Sequence, residues 1–153
     1  MKLGLIVICY NSELEINEDL SKSILRLRGK FELCFVNNGS HDSTLKKLME
    51  LKDLDNLNLN ILDIKKYKSK TMAIKAASRF LLSQKKLKYI GYISLKDFIS
   101  KRHICKIYDF FQVKKLDQQL ENSKTQRKIL ENIFSVNQYF AKRKILNEFN
   151  EVI

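Results

Sequence analysis

A run of eight residues without an apolar side chain, "NNGSHDST" at Asn37–Thr44, directly follows an apolar stretch. A simple turn needs only one or two such residues. The run therefore indicates either a tightly bent loop or a place where a ligand comes close to the backbone. Capping of a following helix explains Asp42 and Ser43, but it leaves Asn37 and Asn38 unexplained. We therefore favour a binding loop.

A second set of chemically useful side chains follows another apolar stretch and consists of Lys96 and Asp97. Lysine binds phosphate as a point charge, and a carboxylate can take a proton from a substrate. Four further lysines lie close together in the segment "KKYKSK", namely Lys65, Lys66, Lys68 and Lys70. A single lysine is more often a solvated surface residue, so this chemistry requires a fold that brings the groups together.

The elements that would position these residues alternate along the chain. Leu3–Cys9 is a continuous apolar run typical of a strand buried on both faces. Further strands are predicted at Phe31–Asn37, Leu59–Ile64 and Lys88–Leu95. Helices are predicted at Ser12–Arg28, capped by Asn11 or Ser12, at Ser43–Lys52, capped by Asp42 or Ser43, at Thr71–Gln84 and at Ser100–Lys115.

This alternation predicts an α/β fold with a mostly parallel sheet and helices on both faces. In such sheets the ligand crevice lies outside the carboxyl ends of the strands. Tyr10–Asn11, Asn37–Thr44, Lys65–Lys70 and Ser94–Asp97 all follow predicted strands, so they are expected at that edge. The chain has no linker rich in Gly, Ser or Pro, which predicts one domain, 1–153.

The composition is strongly basic, with 29 Lys+Arg against 17 Asp+Glu and a formal net charge of +12. Such a surface attracts polyanions, although the lysines are spread along the chain and many are expected on solvated faces. The aromatic residues follow the strand and helix patterns, which argues against a nucleic-acid partner. Three cysteines without metal-ligand spacing, and the absence of a signal peptide or membrane-length apolar run, predict a cytoplasmic protein with reduced core thiols.

Four stretches together resemble the family 2 glycosyltransferases of the GT-A fold. They are "LIVICYNSELEINEDLSKSIL", "FELCFVNNGSHDST", "KSKTMAIKAASRFLLSQKKLKYIGYISLKD" and "NQYFAKRKILNEFNE". They occur in the family's order and cover nearly the whole chain. The resemblance implies a GT-A-like fold in which residues 1–97 bind a sugar nucleotide and residues 98–153 form a shortened C-terminal part.

By this resemblance the loops after the first two strands hold the nucleotide of the donor. Tyr10 would stack on the base, next to Asn11. Asn38 would occupy the position whose carboxylate usually accepts a hydrogen bond from the base, with both a donor and an acceptor to offer. Gly39 would let the backbone turn and the ligand approach, and Asp42 would tie the loop to the next helix.

The chain departs from the family at the Asp-x-Asp motif that binds Mg²⁺ or Mn²⁺. Ser94, Leu95 and Lys96 stand there, and only Asp97 is acidic. Because a hard cation needs oxygen ligands, no metal site and no cofactor are expected. Lys96, helped by Lys70 and its neighbours, could instead stabilise the departing diphosphate, or the site could have decayed.

The resemblance implies transfer of a hexose from a nucleotide-diphosphate sugar to a glycan or lipid-linked acceptor, which could place the protein at the inner face of the membrane. The family's acceptor half and its general base would follow the segment that ends this sequence, so Asp97, Glu148 and Glu151 are the candidate bases. The alternative is a non-catalytic module that binds a sugar nucleotide, another copy of itself or a partner transferase. The apolar stripe Ile104, Ile107, Phe110 and Phe111 is expected to be core.

Overall fold

The computed structural model describes residues 3–27, 29–54, 57, 59–84, 87, 89–99 and 133–135. Its elements, in chain order, are β1 (Leu3–Cys9), α1 (Glu18–Leu27), β2 (Glu32–Asn38), α2 (Thr44–Leu54), β3 (Asn60–Ile64), α3 (Lys70–Gln84), β4 (Tyr89–Ser94), α4 (Leu95–Ile99) and β5 (Ile133–Ser135). Within these residues, no helix has the length and apolar character that crossing a bilayer requires.

The predicted alternation of strands and helices is confirmed from β1 to β4, but α4 and β5 were not predicted and the start of α1 was misplaced. This helix begins at Glu18, six residues later than predicted. The side-chain oxygen of Asn17 accepts hydrogen bonds from the backbone N–H groups of Asp19 (3.0 Å) and Leu20 (3.3 Å), so Asn17 is the N-cap. The predicted caps Asn11 and Ser12 are wrong, because both residues bond to a neighbouring loop instead.

The sheet has the strand order β3-β2-β1-β4-β5, in which only β5 is antiparallel to its neighbour. The chain starts at β1, moves outward through β2 to β3, and returns to the other side of β1 as β4. The direction of winding therefore reverses between β1 and β4, which is where open parallel sheets form a ligand crevice. The strand ends are level, since Cys9 pairs with Asn37 and Ile8 with Ser94.

Both faces of the sheet are covered by helices, as predicted. Leu5 and Val7 of β1 belong to a buried cluster with side chains of α1, α2 and α4. The intervening Ile6 belongs to a second cluster with Cys34, Val36 and residues of α3. This alternation follows from the two-residue period of a strand. The protein is thus an α/β fold of three layers.

Cys9 and Cys34 are free and buried, as predicted for core thiols. Burial raises the pKa of the Cys9 thiol, and burial raises the pKa of Cys34 to about 12. Both thiols therefore stay protonated and inert at neutral pH. The predicted helix 100–115, with its apolar stripe and the third cysteine, Cys105, lies outside the described residues.

Candidate functional site

The sequence-predicted site residues follow four neighbouring strand ends, which together we call the carboxyl edge. Three loops begin there: the β1–α1 loop (residues 10–17), the β2–α2 loop (residues 39–43) and the β3–α3 loop (residues 65–69). At the fourth strand end, β4 runs directly into α4. The fold therefore brings the predicted residues to one edge of the sheet.

Reciprocal hydrogen bonds join the β1–α1 loop to the β2–α2 loop. The backbone N–H of Asn11 donates to Ser40 Oγ (3.0 Å), and Asn11 Oδ1 accepts from the N–H of His41 (2.9 Å). The N–H of Ser12 donates to Thr44 Oγ1 (2.7 Å). Asn11 has φ of 46°, a left-handed conformation that asparagine tolerates better than most residues. Polar groups of the two loops are thus hydrogen-bonded to one another.

Asp42 links the β1–α1 loop to the start of α2. Its carboxylate accepts hydrogen bonds from the N–H of Glu13 (3.1 Å) and from both the N–H and the hydroxyl of Thr44. Partial burial by itself raises the pKa of Asp42, but the bonds from Thr44 and Glu13 outweigh it and hold the pKa below its usual value. Asp42 therefore ties the loop to α2, and its contact with a nucleotide stays a prediction.

Asn38 holds the β3–α3 loop. It is only 3% exposed, and its side-chain amide donates to the carbonyl of Lys68 (2.8 Å) while its Oδ1 accepts from the N–H of Lys68 (3.1 Å). Both polar ends of the side chain are thus used within the protein. The prediction that Asn38 contacts a base remains untested, but its observed partner is the backbone of the neighbouring loop.

Asn37 supports the same loop from one residue earlier. Its side-chain N–H donates to Asp63 Oδ1 (2.8 Å) at the end of β3, and Asp63 also forms an ion pair with Lys65. The hydrogen bond from Lys65, together with that from Asn37, holds the pKa of Asp63 below its usual value. These bonds explain both asparagines that helix capping could not explain.

Gly39 lies against the backbone of the β3–α3 loop. It has φ of 69°, and a β-carbon at this position would lie 2.2 Å from the backbone nitrogen of Tyr67 and 2.6 Å from the carbonyl carbon of Lys66. The sequence predicted a close approach by a ligand. The structure shows the main chain of a neighbouring loop in that place, and glycine is required there on both grounds.

Tyr10 of the β1–α1 loop and Tyr67 of the β3–α3 loop form an exposed aromatic pair. Their ring centroids are 4.9 Å apart, at an interplanar angle of 59°, and the residues are 44% and 58% exposed. Sequence reasoning identified Tyr10 but missed Tyr67. The available signal was an aromatic residue inside a lysine-rich segment at a strand end.

The lysines of "KKYKSK" are all exposed, and two of them have defined partners. Lys65 pairs with Asp63, while the ammonium group of Lys70 lies 5.0 Å from the ring centroid of Tyr92 on β4. A cation over an aromatic face at this distance is attracted to it. The segment therefore places lysines before and after Tyr67 in the sequence.

At the end of β4, Ser94 and Asp97 form a local helix cap. The Ser94 hydroxyl donates to Asp97 Oδ2 (2.7 Å) and accepts from the N–H of Asp97 (3.2 Å). This pattern is similar to a capping box and gives Asp97 a structural role. Lys96 lies between them in sequence and is exposed. Because Ser94 pairs with Ile8, Lys96 follows the strand end next to that of Tyr10.

The residues at this strand end do not fit a divalent cation. Asp97 is the single carboxylate between Ser94 and Ile99, it already accepts a hydrogen bond, and a lysine precedes it. Among the described residues, no group of three or more His, Cys, Asp and Glu side chains could hold a metal ion. The candidate bases Glu148 and Glu151 lie outside the described residues.

Comparison with solved structures finds GT-A-type glycosyltransferases. The mannosyltransferase PcManGT from Pyrobaculum calidifontis, in complex with GDP-Man and Mn²⁺, superposes with a TM-score of 0.52 at 22% identity, over 61% of this chain and 27% of that enzyme. S. aureus TarS 1-349 matches with a TM-score of 0.49 at 22% identity, over 71% and 32% of the two chains. Its complex with UDP-GlcNAc gives 0.47 at 24% identity, over 71% and 31%.

The likeness to the mannosyltransferase, together with the mostly parallel sheet, shows a GT-A-like fold. The chain spans about a quarter to a third of the length of these neighbours. No protein-family model matches the sequence, and no curated protein matches it either.

Proposed function

We propose that this chain is a family 2 glycosyltransferase-like protein that binds a nucleotide-diphosphate sugar at the carboxyl edge and transfers its hexose to a glycan or lipid-linked acceptor. The fold class and the reversal of winding at β1 and β4 agree with this site. The mannosyltransferase neighbour was solved with GDP-Man, which supports a sugar nucleotide as the donor.

The observation that carries the proposal is the exposed Tyr10–Tyr67 pair within a lysine-rich edge. An aromatic face offers contact area to a nucleobase, and lysines attract the diphosphate. Both tyrosines are held by loops that the fold itself fixes, through Asn38, Gly39 and Asp42. A preformed surface of this kind loses little conformational entropy when a ligand binds.

In the transfer step, the acceptor hydroxyl oxygen would bond to the anomeric carbon as the bond from that carbon to the diphosphate breaks. The nucleoside diphosphate leaves with an additional negative charge. Lys96, with Lys70 and its neighbours, would stabilise that charge. The hydroxyl proton would pass to a carboxylate, and Asp97 is the candidate at the end of β4. No step is assigned to a divalent ion, because the residues there do not fit one.

The second candidate function is a non-catalytic module that binds a sugar nucleotide or a partner transferase. The specific observation in its favour is the bond between Asp97 and Ser94, which gives Asp97 a purpose other than chemistry. The two candidates share the donor site and differ only in whether the donor is consumed. Both are compatible with a cytoplasmic protein, and a lipid-linked acceptor would bring the first to the membrane surface.

Isothermal titration calorimetry with UDP, GDP and their sugars, with and without Mn²⁺, tests the shared site. We expect binding that does not need Mn²⁺ and that weakens about tenfold, or about 1.4 kcal/mol, in Lys96→Ala. Lys52→Ala is the matched control, because it removes the same charge from the exposed last turn of α2, at the opposite end of that helix from the carboxyl edge. Absence of nucleotide binding under every condition would reject both candidates.

Release of nucleoside diphosphate from the sugar nucleotide separates the two candidates. An enzyme that uses Lys96 should show slow donor hydrolysis, which Lys96→Ala abolishes and Lys52→Ala preserves. Binding that leaves the donor intact, in the presence of glycan and lipid-linked acceptors, would support the module.

A further inference from the structure

We infer that the outer surface formed by α3 and the β3–α3 loop docks on an anionic lipid bilayer. We call it the α3 surface. Its described basic residues are Lys65, Lys66, Lys68, Lys70, Lys75 and Arg79. The inference goes beyond the proposed function, since docking involves neither a sugar nucleotide nor an acceptor. It follows from a difference in charge between the two faces of the sheet.

The helices on the opposite face of the sheet carry both signs of charge. On α1, Lys22 Nζ lies 4.0 Å from Glu18 Oε2 and 3.7 Å from Asp19 Oδ1. On α2, Lys46 Nζ lies 3.9 Å from Glu50 Oε1. Both helices pack into the same buried cluster, on one side of the sheet. Their outer surfaces therefore offer little net attraction to an extended anionic partner.

The α3 surface, by contrast, is built from a segment without acidic residues. Between Asp63 and Asp97 the sequence contains neither aspartate nor glutamate. Asp63, at the start of this segment, pairs with Lys65. Because α3 packs into the second buried cluster, its charges lie on the other side of the sheet from α1 and α2. Within the part of the chain that the structure describes, positive charge is thus concentrated on one face.

An exposed apolar side chain lies within this positive charge. Met72 is 53% exposed, and Arg79 and Ser83 follow it at intervals of seven and four residues. These spacings put the three residues on one face of α3, turned away from the buried Ala77 and Leu81. Cationic side chains can meet lipid headgroups while an apolar side chain enters the layer beneath them. A nucleic acid would attract the same charges but offers no apolar layer for Met72.

The α3 surface adjoins the carboxyl edge, because α3 begins there at Lys70. A bilayer against this surface would therefore lie beside the proposed donor site. A lipid-linked acceptor held in that bilayer would be close to the donor, although docking itself needs no acceptor.

Flotation of the full chain with lipid vesicles tests the inference. We expect binding to phosphatidylcholine vesicles that contain about 30% phosphatidylglycerol, and none to phosphatidylcholine alone. Binding should be lost between about 0.1 and about 0.5 M NaCl as the charges are screened. Absence of binding to the anionic vesicles at about 0.1 M NaCl would overturn the inference, whereas the titrations with UDP and GDP decide the proposed function separately.

The same protein is also titrated with single-stranded RNA and duplex DNA at equal salt. We expect weaker binding to both than to the anionic vesicles, compared per phosphate group. Tighter binding to either nucleic acid would overturn the inference in favour of a nucleic-acid partner.

Charge reversal at matched positions assigns vesicle binding to the α3 surface. Arg79→Glu should weaken it about thirtyfold, because each cationic side chain near an anionic bilayer contributes about fivefold and the reversal also adds a repulsive charge. Arg26→Glu, in the last turn of α1, changes the net charge equally on the opposite face and should alter binding less than about threefold. Equal losses in the two variants would show attraction by net charge alone and would overturn the inference.

A second pair of variants tests the apolar contact. Met72→Ser should weaken vesicle binding about fivefold, since part of the side chain leaves water on docking. Met49→Ser on α2, where Met49 is 42% exposed, is the matched control and should bind as the wild type does. Both methionines are exposed, so neither change should disturb folding. Wild-type vesicle binding by Met72→Ser would show that no apolar group enters the bilayer, and would overturn the inference.

Discussion

The ends of β1, β2 and β3 and the end of β4 lie at the same edge of the sheet, but they are built differently. At the first three ends, side chains of a loop or strand end bond to the backbone of a loop far away in sequence. Examples are the bond from the N–H of Glu13 to Asp42 and the bonds between Asn38 and Lys68. At the end of β4, the described side-chain bonds join Ser94 and Asp97, three residues apart. Long-range bonds fix the relative position of two segments, whereas a local cap fixes only the start of a helix.

Under the proposed function, this difference separates donor binding from chemistry. The looped region has a preformed shape with exposed rings and charges, which suits ligand binding. The end of β4 has one carboxylate and one lysine, so any chemistry there depends on very few groups. The proposed donor site therefore depends on many contacts, and the proposed transfer depends on two residues.

Gly39→Ala should have the strongest effect on the looped region, lowering the free energy of unfolding by about 3 kcal/mol or more. The added β-carbon would meet the backbone of Tyr67 at 2.2 Å, and the left-handed φ adds a further cost. Gly29→Ala is the matched control, because Gly29 has φ of 77° but nothing within 4 Å of the added carbon. That control should lose only about 1–2 kcal/mol in urea denaturation. Equal losses of unfolding free energy in Gly39→Ala and Gly29→Ala would show that the contact with the β3–α3 loop adds nothing to the cost of Gly39→Ala.

Asp42→Ala should have the next strongest effect, with a loss of about 2 kcal/mol at pH 7. Since the folded pKa of Asp42 is held below the usual value of 3.8, its contribution is fully present above that pH and disappears as the pH falls through the folded pKa. The difference in Tm between wild type and variant should therefore shrink below about pH 4. Asp53→Ala, on the exposed surface of α2, should stay within about 0.5 kcal/mol at every pH. A pH-independent difference would contradict the assigned role of the carboxylate.

Ser94→Ala tests the other region and should cost about 1 kcal/mol or less, because it removes one local cap of a five-residue helix. Nucleotide affinity should be unchanged, since the cap does not hold the loops. A loss of stability as large as that in Asp42→Ala would remove the contrast between the two regions. Urea denaturation and calorimetric titration of both variants provide the comparison.

Lys96→Asp should have the smallest effect on stability, within about 0.5 kcal/mol, because Lys96 is exposed. We also expect Mn²⁺ to leave the Tm of the wild-type chain unchanged in the presence of UDP. A rise in the wild-type Tm with Mn²⁺ would mean that ligands other than those at the end of β4 form a metal site. Differential scanning calorimetry with and without the ion measures both effects.

Much of this fold could be predicted because its signals are local. The apolar run Leu3–Cys9 coincides with β1, and the alternation of strands and helices fixed the class and the edge at which the site lies. The start of α1 was misplaced because Asn11 and Ser12 have the composition of helix caps. Their partners, Ser40 and Thr44, lie in another loop, and no local pattern reveals such a pairing.

The site was predicted less completely for the same reason. Sequence identified Asn38 and Gly39 as unusual and attributed both to a ligand. The structure instead shows the backbone of the β3–α3 loop against each of them. Tyr67 was missed because its significance depends on a ring contact with Tyr10, more than fifty residues earlier in the chain.

The side chain of Asn38 does not ionise in the physiological pH range. The backbone N–H and carbonyl of Lys68, to which it is hydrogen-bonded, do not ionise there either. Mild acidification therefore does not break the hydrogen bonds between Asn38 and Lys68. The β3–α3 loop, which carries the lysines, keeps its position from neutral pH down to the pH of an acidic compartment.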